Sequence, residues 1–212
     1  MAWINIFTDL FGTHMVKDSS RRIRIIIPIG VLMIKIRKIL RKRVKIIFLS
    51  LFALWVVVVL SIQVVAPNPI VKEMPENCPE NSRNCVRVDY DGSSYRYNNL
   101  EPPVISASTS EINQVITTWF SDSRGKILFS SVDENNRSHF LHIKEYTDFF
   151  FFPDDIYVNS SCLENTNQSV VTLQSQSRLG NGDLGVNFER LSELISYLNN
   201  YSWSGNDCNF DN

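Results

Sequence analysis

Residues 44–66 read VKIIFLSLFALWVVVVLSIQVVA, and after Lys45 no charge interrupts the run. Its polar members are Ser50, Ser61 and Gln63. A helix rises about 1.5 Å per residue, so about twenty such residues match a hydrocarbon core about 30 Å thick. A helix apolar on every side is buried in a large core or in lipid, and a chain of 212 residues is too small to offer such a core. The pattern predicts one transmembrane helix over 44–66.

Elsewhere the periodicities are shorter. Within 1–12, Trp3, Ile4, Ile6, Phe7, Leu10 and Phe11 fall largely on one helical face, an amphipathic segment suited to a membrane interface. The apolar run 25–34 is too short to span, carries Pro28 and Gly30, and reads as interfacial. After the span, 67–77 (PNPIVKEMPEN) is a proline-punctuated linker that cannot continue the helix. Ser110 is placed to cap a helix whose stripe is Ile112, Val115, Ile116, Trp119 and Phe120. Strands are predicted over 126–132 and 138–143, with a turn at 133–136. The run 146–152, with four consecutive Phe, reads as a strand buried on both faces. Residues 156–158 continue it, and 169–175 form a further strand. Phe188, Leu191, Leu194, Ile195 and Leu198 define a last amphipathic helix with Asn187 as its cap.

This order predicts an α+β fold: an antiparallel sheet of four to five strands with two helices on one face, preceded by a single transmembrane helix. The divisions are 1–43 (basic arm with amphipathic segments), 44–66 (span), 67–77 (linker), 78–203 (α+β domain) and 204–212 (loose tail).

Charge gives the span a direction. The formal net charge of −1 conceals two opposite halves. Up to Lys45 there are eleven Lys/Arg and two acids, leaving ten basic and twenty acidic residues beyond it. Clustered cations on one flank predict a cytoplasmic N-terminus and an extracytoplasmic C-terminal domain. The run RKILRKRVK beside the bilayer should attract anionic headgroups, which accounts for it better than nucleic acid does. All four cysteines, Cys78, Cys85, Cys162 and Cys208, follow the span, as disulfides in an oxidising compartment would. Three pairings are open, and Cys78 with Cys85 is the first candidate.

Candidate chemistry concentrates in 178–187, RLGNGDLGVN. Three glycines allow close backbone approach, and the loop leads into a helix N-terminus whose free N–H groups favour an anion. Arg178, Gly180, Gly182, Asp183, Asn187 and Arg190 are the anion-binding candidates. The alternative is a structural loop in which Arg178 pairs with Asp154, Asp155 or Asp183. Adjacent residues on a strand face opposite ways, so Asp154 and Asp155 do not form an acid/base pair. His139 and His142, three apart, do not form a zinc pair. The sequence offers no metal set, no cofactor motif and no catalytic residue to name.

Three stretches carry a resemblance: Cys78-Pro79 with Asn84-Cys85-Val86; the Phe-rich run leading into Asp154-Asp155; and Ser175-Gln176-Ser177-Arg178-Leu179-Gly180 followed by Asp183-Leu184-Gly185-Val186-Asn187 and Arg190. Residues 78–198 thereby resemble the domain of unknown function 1499 family, although the two cysteines stand one residue further apart than that pattern expects. The resemblance implies a membrane-anchored or exported protein and brings no established activity. The reading that follows is a single-pass membrane protein serving as a non-enzymatic accessory or binding module, in contact with another membrane protein or a lipid-derived anion. The alternative is an enzyme acting on an anionic or lipid substrate at 178–187.

Overall fold

The computed structural model describes residues 14–17, 23–26, 29–123, 125–164, 166–205 and 208. The chain divides into two compact units, Met1–Val57 and Val58–Asn212. The amphipathic segment expected over 1–12 lies outside the described residues.

In the first unit, β1 (His14–Lys17) pairs antiparallel with β2 (Ile23–Ile26). Helix α1 (Ile29–Val65) starts well before the predicted span and runs 37 residues across the boundary into the second unit. The division at 43/44 is thus not a helix boundary. No proline lies between Ile29 and Val65, and Gly30 falls in the first turn, where it interrupts nothing. The portion Ile36–Val65 is long and apolar enough to cross a membrane.

The second unit is an α+β domain. Its strands are β3 (Cys85–Val88), β4 (Val104–Ile105), β5 (Lys126–Val132), β6 (Ser138–Tyr146), β7 (Pro153–Cys162) and β8 (Ser169–Ser177). They form one antiparallel sheet in the order β3-β8-β7-β6-β5, with β4 also on β8. Helix α2 (Thr109–Asp122) enters between β4 and β5, and α3 (Val186–Asn200) follows β8. Ser108, not Ser110, caps α2, its side chain accepting from the Glu111 N–H at 3.2 Å. Gly125 turns the chain into β5; a Cβ there would stand 2.8 Å from the Cβ of Phe120.

The core lies between the sheet and the two helices. Val86, Val88, Leu141, Ile143, Ile156, Val158, Val171 and Leu173 meet Ile112, Ile116 and Phe120 of α2 and Leu191, Leu194 and Leu198 of α3. Burying each such side chain contributes about 1.5–3 kcal/mol.

The opposite sheet face is covered by the linker. Its Val71 N–H donates to His142 on β6, and its Pro75 carbonyl accepts from Arg87 on β3. Residues 67–78 therefore form a strap held across the second face, beneath which Tyr157 and Gln174 are buried. A disulfide between Cys78 and Cys85, Cα atoms 5.9 Å apart, fixes the strap to β3. A second, Cys162–Cys208, ties the tail predicted to be loose to the end of β7. It closes 46 residues of sequence against 7 for the first. By loop entropy, opening it should cost about 4 kcal/mol against about 2 kcal/mol. Comparing the denaturant midpoints of Cys208→Ser and Cys78→Ser tests that order.

Candidate functional site

Strand alternation sorts the carboxylates of β7 as the sequence predicts. Asp154 faces the helices with Ile156 and Val158, and Asp155 faces the strap with Tyr157. Each anchors a separate charge clasp.

On the strap side, Arg178 reaches Asp155 with both edges of its fork, Nε to Oδ2 at 3.0 Å and Nη2 to Oδ1 at 2.6 Å. Its Nη1 donates to the Pro67 carbonyl at 2.9 Å and to Asn68 Oδ1 at 2.7 Å. His142 Nε2 lies 2.7 Å from Asp155 Oδ1, and its Nδ1 accepts the Val71 N–H at 3.1 Å. With Nδ1 accepting, the proton on Nε2 is the one donated to Asp155. The pair has the geometry of a general-base dyad, but the nitrogen that would take a proton is occupied by the strap. Burial pushes the Asp155 carboxyl up, yet the hydrogen bonds from His142 and Arg178, with the Arg178 charge, outweigh it and hold the group below its ordinary value.

On the helix side, Arg190 of α3 donates from Nε to Glu145 at 2.6 Å and from Nη2 to Asp154 at 2.8 Å. Its Nη1 donates to Ser175 Oγ and Asn187 Oδ1, each at 2.9 Å. Among the described residues Asp154 Oδ1 has no hydrogen-bond partner. Burial, only partly countered by Arg190, raises the Asp154 carboxyl above its ordinary value. The two neighbours are thus driven apart in acidity by their surroundings. His139 is also buried, with neither ring nitrogen bonded among the described residues, and burial pushes its pKa down, opposed by Asp133.

The sequence candidates therefore occupy definite places. Four of the five donors on each of Arg178 and Arg190 are engaged inside the domain. An anion at either head would compete with a carboxylate already there. Asn187 is not the cap of α3: it lies inside the helix, fully buried, and bonds Ser175, Ser177, Asn84 and Arg190. The helix N-terminus is taken by Asp183, which accepts from Gly185 N–H at 3.1 Å and from Asn187 N–H at 3.2 Å. The negative group that such a terminus attracts is supplied by the chain itself. Gly180, at φ 86°, provides a left-handed turn, while a Cβ on Gly182 would meet nothing within 4 Å. Asn84 ties this loop to β3 by donating to the Ser177 and Gly180 carbonyls.

Sequence reasoning missed a groove. About 870 Å³ in volume, it runs between the 147–152 loop, the 179–186 loop and the exposed side of α3. Among the described residues six carboxylates line it (Asp122, Glu145, Asp148, Asp183, Glu189 and Glu193) against one cation, Arg190. Its lips are apolar. The Phe run is no buried strand: β6 ends at Tyr146 because Thr147 closes a loop with Phe152, and Phe149 and Phe150 are exposed. Leu184 on the other lip is fully exposed and held at φ 53°. A left-handed conformation costs a side chain like Leu about 1–2 kcal/mol, and Asn tolerates it. Leu184→Asn should raise stability by about 1 kcal/mol, read as a higher denaturant midpoint.

A disulfide-bonded α+β head built on a helix apolar enough to span a membrane defines the class. The chain belongs to the family described as protein of unknown function (DUF1499), whose pattern matches residues 76–198. The match runs from the end of the strap through most of α3, taking in the groove and the charged side chains of both clasps, while Pro67, Asn68 and Val71 of the strap precede it. No curated protein and no solved structure matches the chain.

Proposed function

We infer that this is a single-pass membrane protein whose head is a non-enzymatic accessory module binding a cationic, amphipathic segment of another membrane protein. The observation that carries this reading is the groove: apolar lips above a wall that holds, among the described residues, six carboxylates and one arginine, with Glu145 paired to that arginine and Asp183 to the start of α3. Such a wall repels anions, and its field favours the lysine and arginine side chains of a partner segment lying against it. The clasps support the same reading, because Arg178 and Arg190 hold the scaffold that frames the groove. The basic arm before the span suits anionic headgroups on the other side of the bilayer, with the N-terminus cytoplasmic and the head extracytoplasmic.

A Leu/Lys amphipathic peptide titrated onto the full chain in neutral detergent micelles tests the groove. Glu189 and Glu193 are exposed on one side of α3, so reversing both to Lys leaves the clasps intact. Binding that weakens with salt and drops about tenfold in the double variant is expected. Equal binding by both proteins would refute the acidic groove as the site.

A further inference from the structure

We propose that the lips of the groove, Phe149, Phe150 and Leu184, insert into the lipid leaflet from which α1 emerges, so that the groove opens at the membrane surface. This rests on reading α1 as a membrane anchor and is independent of what fills the acidic groove. Phe149 and Leu184 are 65% and 104% exposed, an unfavourable state for large apolar side chains in water. Leu184 and Phe151 are both held at positive φ, 53° and 55°, so the fold maintains strained backbone at both lips. The occupant is identified by the chain's own helix. Gln63 Nε2 donates to the Phe151 carbonyl at 2.6 Å. Gln63 lies two residues, about 3 Å of helix, before the end of α1. The Phe loop is therefore at the level where the apolar helix leaves the hydrocarbon. Val64 and Val65, next to Gln63 in the chain, are exposed as well. Aromatic and aliphatic side chains at that level occupy the headgroup and upper acyl region, about 5–10 Å deep.

The test uses the full chain in phosphatidylcholine vesicles, with an environment-sensitive fluorescent amino acid placed singly at Leu54, Phe150, Leu184 or Val132. Nitroxide-labelled phosphatidylcholine is the quencher. Leu54 lies within α1, and Val132 is exposed at the far end of the sheet. β6 is nine residues long, so Val132 sits about 25 Å from the loop along the strand direction. The expected result is strong quenching at Leu54 and quenching at Phe150 and Leu184 about threefold above Val132. Leu184→Asn, which keeps the fold, should reduce quenching of the Phe150 probe. Quenching at Leu54 with none above the Val132 level at Leu184 and Phe150 overturns the inserted lips while leaving the anchor standing. No quenching at Leu54 refutes the anchor itself, and this inference with it. Lip probes shielded only when a second protein or more copies of the chain are added also overturn it.

Discussion

Asp155→Asn is expected to destabilise the head by about 3–5 kcal/mol, a large part of the stability of a domain this size. The substitution leaves the Arg178 guanidinium, whose side chain is 1% exposed, facing a neutral amide. It also turns one of the two oxygens that accept from Arg178 and His142 into an NH2 donor, and it loosens the anchorage of the strap at Pro67 and Asn68. Asp154→Asn, one residue away, should cost only about 1–2 kcal/mol. The direction of the pKa shifts makes the difference: the fold favours ionised Asp155 and disfavours ionised Asp154. Chemical denaturation of the full chain in micelles, followed by near-UV circular dichroism, reads both.

The same shifts give the head two steps of acid sensitivity. Burial holds His139 below the ordinary histidine value of 6.5, so the unfolded chain takes up that proton first and stability falls as pH drops below about 6.5. Asp155 is held below 3.8, and so is Asp89 just after β3, where burial is outweighed by hydrogen bonds from Asp91 N–H, Ser93 and Arg87, so their contribution is present above that pH and lost as pH falls further. Asp154, raised above 3.8, partly offsets the lower step, because the folded form takes up its proton first. His139→Phe should remove the upper step, and Asp155→Asn should flatten the lower one.

Arg190→Met is expected to have an effect of similar size, about 3–5 kcal/mol, for a different reason. It strands two acids, the fully buried Asp154 and Glu145, whose side chain is 14% exposed, and it removes a donor from Ser175 and Asn187. Methionine keeps most of the arginine's length, so the loss is electrostatic rather than a void. Replacing the whole cluster, Arg190→Met with Asp154→Leu and Glu145→Leu, should recover most of the stability, because no unpaired charge then remains. A triple variant as unstable as Arg190→Met alone would locate the cost in packing instead.

The alternation of strand residues made the division of Asp154 from Asp155 legible in the sequence; the partner of Arg178 stayed open among Asp154, Asp155 and Asp183, and Asp155 is the one it reaches. The leucine stripe of α3 was equally legible. Other features depended on what lies across space from them. Asn187 has a capping side chain in a capping position, but Asp183 reaches the same amides and leaves Asn187 free to bond β8 and β3. The strap was invisible because nothing in PNPIVKEMPEN alternates; its backbone is held by side chains of His142, Arg87 and Arg178, distant in sequence. The Phe run misled because apolar content is read as burial from water, whereas Thr147 folds the run into an exposed loop beside the end of α1. The anion reading of 178–187 recognised a helix N-terminus and did not foresee that Asp183 would fill it.

Everything proposed for the head depends on α1 residing in a bilayer, and extraction of intact membranes with alkaline carbonate tests that most directly. The full chain should remain in the pellet at high pH and be released only by detergent. Release into the carbonate supernatant would contradict the account.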